Sequence, residues 1–216
     1  MEQAILTETQ KKAIDLISQE PLLTDFYLSG GTALSAYYLY HRFSDDLDFF
    51  IFNEPDKIFL HAFAEKIKQT LKFEETRFER FYDRNQFFFK INDNELKIEF
   101  TKYPFIQLEK PSPRDGIKID SLKDIAANKL MTILDRFDPK DFVDFYFLLQ
   151  TFKLEDIKKN TEKKFNTKID DIFLGSELAK VKRINALPRM IKEIDVEELK
   201  NSFTKIAKEL GSKILE

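Results

Sequence analysis

The chain contains no cysteine and no tryptophan, and its 216 residues include only five glycines, two histidines and three methionines. Without cysteine there is no disulfide, no thiolate metal ligand and no cysteine nucleophile. His41 and His61 are the only imidazoles, which leaves little for a serine triad or a histidine-rich zinc site. No apolar run approaches the length needed to cross a membrane and no apolar leader opens the chain, so a cytoplasmic protein is expected, with no membrane partner. Neither charge dominates: 35 Lys and Arg face 38 Asp and Glu, and a net charge of −3 exerts no overall pull on nucleic acid. The balance shifts locally, because residues 151–192 hold eleven basic side chains against six acidic ones. What is abundant is phenylalanine, 23 in all. It falls in strand-like runs such as Phe87-Phe88-Phe89 and at helical spacing later on, as core filling does. With 43% apolar and 34% charged residues the chain reads as globular, long enough for one large domain or two small ones.

Thr7 with Gln10 forms a capping box for a first helix that ends before Pro21. An apolar strand near Phe26 leads into Gly30-Gly31, a helix-forming run from Ala33 to Tyr40, and a strand from Asp46 to Phe52. After Pro55 the residues Ile58, Phe59, Phe63, Ile67 and Leu71 recur at helical steps. Strand patterns follow over 73–81, 86–91 and 96–101, the last two joined through Asn92-Asp93-Asn94. The stretch from Pro104 to Gly116, with Pro111 and Pro113, reads as a loop and a domain boundary. Beyond it Ser121 opens one helix, Asp138-Pro139 another, and three or four more complete the chain. The expected class is α+β: a mixed-sheet domain with flanking helices over 1–116, followed by an all-helical domain over 117–216.

Ser29, Gly30 and Gly31 lie at a strand-to-helix corner whose amides suit phosphate. Asp46 and Asp48, two apart on a strand, share a face, and repulsion between them invites a cation. Glu99 shares a face with Lys97 on a later strand and is a candidate third metal ligand and catalytic base; a plain solvent-facing strand is the alternative. Lys129 projects from the apolar stripe of its helix, either snorkelling or meeting an anion such as a triphosphate. Asp141 and Asp144 share a helix face, as site residues or as acids serving the helix dipole. Arg42 is a candidate phosphate ligand or a partner of Asp45, and His41 a packing or hydrogen-bonding residue. An oxygen-only donor set suits magnesium, with two ions bridged by such carboxylates as the usual arrangement for attack at phosphorus.

Over Leu28 to Leu149 the chain resembles the AbiEii/AbiGii-type nucleotidyltransferase toxins of the DNA polymerase β-like superfamily. The likeness is carried by Ser29-Gly30-Gly31-Thr32-Ala33-Leu34, by His41-Arg42-Phe43-Ser44 with Asp46-Leu47-Asp48-Phe49, by the run from Asp124 through Lys129 to Leu130, and by Lys140-Asp141 with Asp144. It implies transfer of a nucleoside monophosphate from a nucleoside triphosphate to an acceptor, an RNA or tRNA 3′ end or a protein hydroxyl. It also implies Mg²⁺ on Asp46 and Asp48, Gly30 and Gly31 at the nucleotide phosphates, Lys129 and Asp141 as later motif positions, and the toxin half of a toxin–antitoxin or phage-defence pair with a cognate antitoxin. Glu99 departs from the more usual aspartate. The alternative is a catalytically inactive RNA- or protein-binding module on the same fold, and a nuclease using the same carboxylates would leave the glycine corner and Lys129 without a task.

Overall fold

The computed structural model describes residues 5–212. Two-residue alternation builds its sheet. In β1 (Tyr27–Ser29), β2 (Leu47–Ile51), β3 (Glu75–Phe81), β4 (Arg84–Ile91), β5 (Asn94–Lys102), β6 (Ser112–Arg114) and β7 (Ile117–Ile119), apolar side chains take one face and polar ones the other most clearly at the centre. Leu47 and Phe49, Phe87 and Phe89, and Ile98 and Phe100 enter the core. Asp48, Gln86, Lys97 and Glu99 occupy the opposite parity. The strands form one mixed sheet in the order β3-β4-β5-β2-β1-β7-β6, with β1 parallel to β7, β2 parallel to β5, and antiparallel pairing elsewhere.

The chain divides into two compact units. The first holds the residues up to Tyr38, Ser44–Phe105 and Lys110–Ser121; the second holds Leu39–Phe43, Ile106–Glu109 and everything from Leu122. In the first unit, α1 (Glu8–Ser18) has the expected Thr7–Gln10 capping box, and α3 (Lys57–Leu71) is capped by Asp56. His61 of α3 lies edge-on to Phe78 and Phe87, so that α3 covers the apolar face of β3 and β4. Ile58, expected on the apolar face of α3, is 84% exposed; the buried stripe is Leu60, Phe63, Ala64 and Ile67. The Asn92 turn behaves as anticipated: Asn92 takes φ 51° and pairs Ile91 with Asn94 across the β4–β5 hairpin.

Two expectations fail here. The stretch from Pro104 to Gly116 is not simply a loop, because Ser112–Arg114 forms β6, and a boundary at 116/117 would cut the β6–β7 hairpin. The units interleave here: Ile106–Glu109 belongs to the second, Lys110–Ser121 to the first, and the second resumes at Leu122. Pro113 is tolerated because β6 is an edge strand, and three-residue strands are too short for alternation to reveal. The helix after the glycines also begins earlier than expected: α2 spans Gly30–Leu34 and passes into a π-helical turn over Ser35–Leu39.

The second unit is helical, with α4 (Leu122–Asp135), α5 (Pro139–Leu149), α6 (Leu154–Phe165), α7 (Asp171–Ala179) and α8 (Val196–Ser212). Asp138 caps α5 as anticipated, accepting from the Lys140 amide. Phe142 and Phe145 of α5 meet Phe203 of α8 with ring centroids 5.4 and 6.2 Å apart, a phenylalanine core like that of the sheet. No helix among the described residues is long and apolar enough to cross a membrane.

Candidate active site

The ladder register lines up a row of polar residues across four strands: Ser29 of β1 opposite Asp48 of β2, Asp48 opposite Glu99 of β5, and Glu99 opposite Gln86 of β4. Asp46 lies just before β2, outside the strand expected to carry it. Its place is set by its backbone. Gln10 donates to the carbonyls of Ser44 and Asp45 at 2.9 and 3.1 Å, and the Thr32 hydroxyl donates to that of Asp46. Gly30 sits directly against Asp48. A Cβ there would lie 2.5 Å from Asp48 Oδ2, and the φ of +69° is one that other residues rarely adopt. The glycine corner and the Asp48 carboxylate therefore share one site.

The Ser29 hydroxyl is buried and donates to Asp120 Oδ2 at 2.7 Å, a structural tie between β1 and the end of β7. Glu99 differs from expectation more sharply. Its Oε1 accepts from Arg84 Nε and Thr101 Oγ1, each at 2.6 Å, and its Oε2 from Arg84 Nη2 and Gln86 Nε2, each at 2.8 Å. Burial alone would raise its pKa, but the Arg84 hydrogen bonds and charge, with Thr101 and Lys97, bring it down to about 2. Both oxygens of Glu99 are thus engaged by four hydrogen bonds, an arrangement that works against the base and metal-ligand roles expected of it. Lys97 takes the centre instead. Its Nζ lies 3.3 Å from Asp46 Oδ2, 3.8 Å from Asp48 Oδ1 and 3.3 Å from Glu99 Oε2. Burial would lower the Lys97 pKa, and the three carboxylates raise it above the ordinary value. Asp48 is pushed up to about 6, first by burial and then by the neighbouring Glu99 charge.

The later motif residues form a different cluster, in the second unit. Asp144 Oδ1 accepts from His41 Nε2 at 2.7 Å and Arg42 Nε at 2.6 Å; Oδ2 accepts from Arg42 Nη2 at 2.8 Å and lies 2.5 Å from Lys129 Nζ. Asp141 accepts from Lys129 at 2.8 Å and from the Arg136 guanidinium at 3.2 Å. Burial opposes ionisation of Asp144, yet the charges of Lys129 and Arg42 hold it well below the carboxylate range. The His41 pKa is lowered by burial, which outweighs the raising effect of Asp144. In this arrangement Lys129 lies against a pair of aspartates, Asp141 and Asp144. Arg42, expected at a phosphate or Asp45, is bidentate on Asp144. Asp141 serves those cations, and His41 is the hydrogen-bonding residue anticipated.

The family described as the nucleotidyl transferase AbiEii toxin of a type IV toxin–antitoxin system matches residues 14–213. The chain belongs to the AbiEii nucleotidyltransferase toxin family. An uncharacterized protein of Aquifex aeolicus (strain VF5) is 35% identical over 164 residues, covering 74% of this chain and 76% of its own length. Among solved structures, JHP933 of Helicobacter pylori aligns with a TM-score of 0.59 at 20% identity, covering 99% of this chain and 94% of that one. The nucleotidyltransferase toxin MenT4 of Mycobacterium tuberculosis aligns with a TM-score of 0.54 at 12% identity, covering 95% and 86%. At such identities the likeness is one of fold.

For an AbiEii nucleotidyltransferase the residues present fit a divalent cation in part. Asp46 and Asp48 offer only oxygen, and magnesium is commonly held by one or two carboxylates together with substrate phosphates. Lys97 already marks the place as one for positive charge. A three-carboxylate site is not formed: among the described residues no three acidic or histidine side chains are arranged to hold a metal ion. Arg84, Gln86, Thr101, Asp120 and Thr32 are the site neighbours not singled out from sequence. Gln86 was within reach, because the Asn92 turn fixes the hairpin register and with it the pairing of Gln86 with Glu99.

Proposed function

We propose that this AbiEii nucleotidyltransferase moves a nucleoside monophosphate from a nucleoside triphosphate to an acceptor hydroxyl, at the site formed by the Gly30-Gly31 corner and the pair Asp46 and Asp48. The observation that carries this reading is the contact of Gly30 with Asp48. It puts backbone amides able to receive phosphate beside carboxylates able to hold a cation, the two parts that phosphoryl chemistry needs together. The acceptor hydroxyl gives up its proton to solvent as its oxygen forms a bond to the α-phosphorus, the bond from that phosphorus to the bridging oxygen breaks, and pyrophosphate leaves with the electron pair. Magnesium on Asp46 and Asp48 would screen the triphosphate and lower the pKa of the acceptor hydroxyl. Gln10 and Thr32 hold the backbone that presents Asp46, and Gly30 leaves room for Asp48. Lys129, Arg42, Asp141 and Asp144 satisfy one another, and nucleotide binding is not assigned to them. The acceptor proposed is an RNA or tRNA 3′ end or a protein hydroxyl, and the setting is the toxin half of a toxin–antitoxin or phage-defence pair, opposed by a cognate antitoxin.

Asp46→Asn tests the reading. Transfer from α-labelled nucleoside triphosphates in magnesium should fall by ~10³-fold, a loss typical of removing charge stabilisation from a reacting centre. The melting temperature should barely move, because the Asp46 side chain is 46% exposed, so that solvent screens its pairing with Lys97. A variant that keeps full transfer would reject the site.

A further inference from the structure

In the sheet unit three carboxylates converge on one place, and a lysine lies between them. Like charges this close are sustained only by positive charge among them. Lys97 supplies it, with Nζ within 3.3 to 3.8 Å of Asp46, Asp48 and Glu99. Lys97 is also not a free surface side chain, since its side chain is only 17% exposed. Glu99 cannot swing round to become a metal ligand without breaking four hydrogen bonds, two from Arg84 and one each from Gln86 and Thr101. On its outer side Arg84 is held by the same carboxylate, so Glu99 fixes two cations at once. Lys97 takes Asp46 Oδ2 and Asp48 Oδ1, whereas Asp48 Oδ2 faces the glycine corner.

We infer that Lys97 is a built-in counter-cation standing where a second metal ion would otherwise be needed, that Glu99 is the positioning residue that holds it, and that the site takes a single divalent cation on Asp46 and Asp48. The inference rests on the transferase reading above and changes its charge arrangement: one metal ion and one ammonium in place of two metal ions. Glutamate at 99 then has a reason. Its extra methylene lets one carboxylate reach Arg84, Gln86, Thr101 and Lys97 together, a holding task rather than proton abstraction.

Mn²⁺ binding to the full chain, followed by electron paramagnetic resonance without nucleotide, provides a readout separate from activity. The wild-type protein should bind one Mn²⁺, and Asp46→Asn should remove it. Lys97→Met frees the carboxylates from a competing cation and should tighten Mn²⁺ by ~10-fold, from the Coulomb term of one nearby charge. Label transfer by the same variant should nevertheless fall by ~10²-fold, the usual loss when a charge-stabilising group leaves a reacting centre. Lys97→Arg keeps the charge, should restore much of the transfer, and guards against a folding defect in Lys97→Met, which melting curves report directly. Two Mn²⁺ ions on the wild-type chain would overturn the inference, as would unchanged Mn²⁺ affinity or full transfer in Lys97→Met. If the Mn²⁺ pattern holds but the wild-type chain transfers no label from any of the four triphosphates, the counter-cation stands and the transferase reading falls.

Discussion

The sheet unit and the helical unit each contain a cluster of aspartates, lysines and arginines, and the two are built to opposite ends. In the sheet unit three carboxylates face two cations, Lys97 and Arg84, and the cluster is open, with Asp46 about half exposed. In the helical unit two carboxylates face three cations, Arg42, Lys129 and Arg136, and all but Arg136 are buried. An open cluster with surplus negative charge can take up a cation from solution. A closed one in which each carboxylate oxygen already has a donor holds its own elements together, here joining the segment before β2 to α4 and α5. Residue type alone does not distinguish them; exposure and the sign of the surplus do.

The largest effect that would break this contrast is on stability. Asp144→Asn leaves Arg42 and Lys129 buried without their shared carboxylate, and unfolding should become easier by about 3–5 kcal/mol. Chemical denaturation would show it, and a loss no larger than that of Asp46→Asn would erase the distinction between the clusters. Next in size is Gly30→Ala. Its Cβ would meet Asp48 Oδ2, and the backbone would hold a left-handed conformation, together costing about 1–3 kcal/mol, with transfer lost as Asp48 moves. Native-like stability and activity in that variant would mean the corner and Asp48 are not in contact. The smallest effect is on pH dependence. Because the Asp48 pKa is raised from 3.8 to about 6 in the folded state, its contribution favours folding below the unfolded value and is lost as pH rises through 6. Asp48→Asn should therefore be more stable than the wild type at pH 7.5, by on the order of 1 kcal/mol, with the gap closing toward pH 4. Thermal melts across that range would measure it; a gap that grows on acidification has the wrong sign and would place Asp48 in a well-paired environment.

Much of the fold was legible in local patterns. The Thr7–Gln10 box, the Asp138 cap, the Asn92 hairpin and the alternation around Phe87 and Ile98 each involve residues a few positions apart, where propensity and periodicity act. The β6–β7 hairpin was not legible, since three-residue strands carry no period and β7 owes its place to parallel pairing with distant β1. Within the candidate site, the juxtaposition of the glycine corner and Asp48 followed from the strand-turn-helix-strand order. The tasks of Glu99, Ser29, Arg42 and Lys129 did not. Each depended on a partner far along the chain or on an adjacent strand: Arg84 for Glu99, Asp120 for Ser29, and Asp144 for both Arg42 and Lys129.

By itself the sequence determined which family this chain belongs to, where most of its longer strands and helices fall, and which polar residues share a face, because covalent spacing sets periodicity before anything packs. Tertiary structure alone decided which of those charges remain available to a ligand. Availability depends on whether a counter-charge arrives from elsewhere in the fold, and Lys97 among the carboxylates and Asp144 beneath Lys129 arrived in opposite senses.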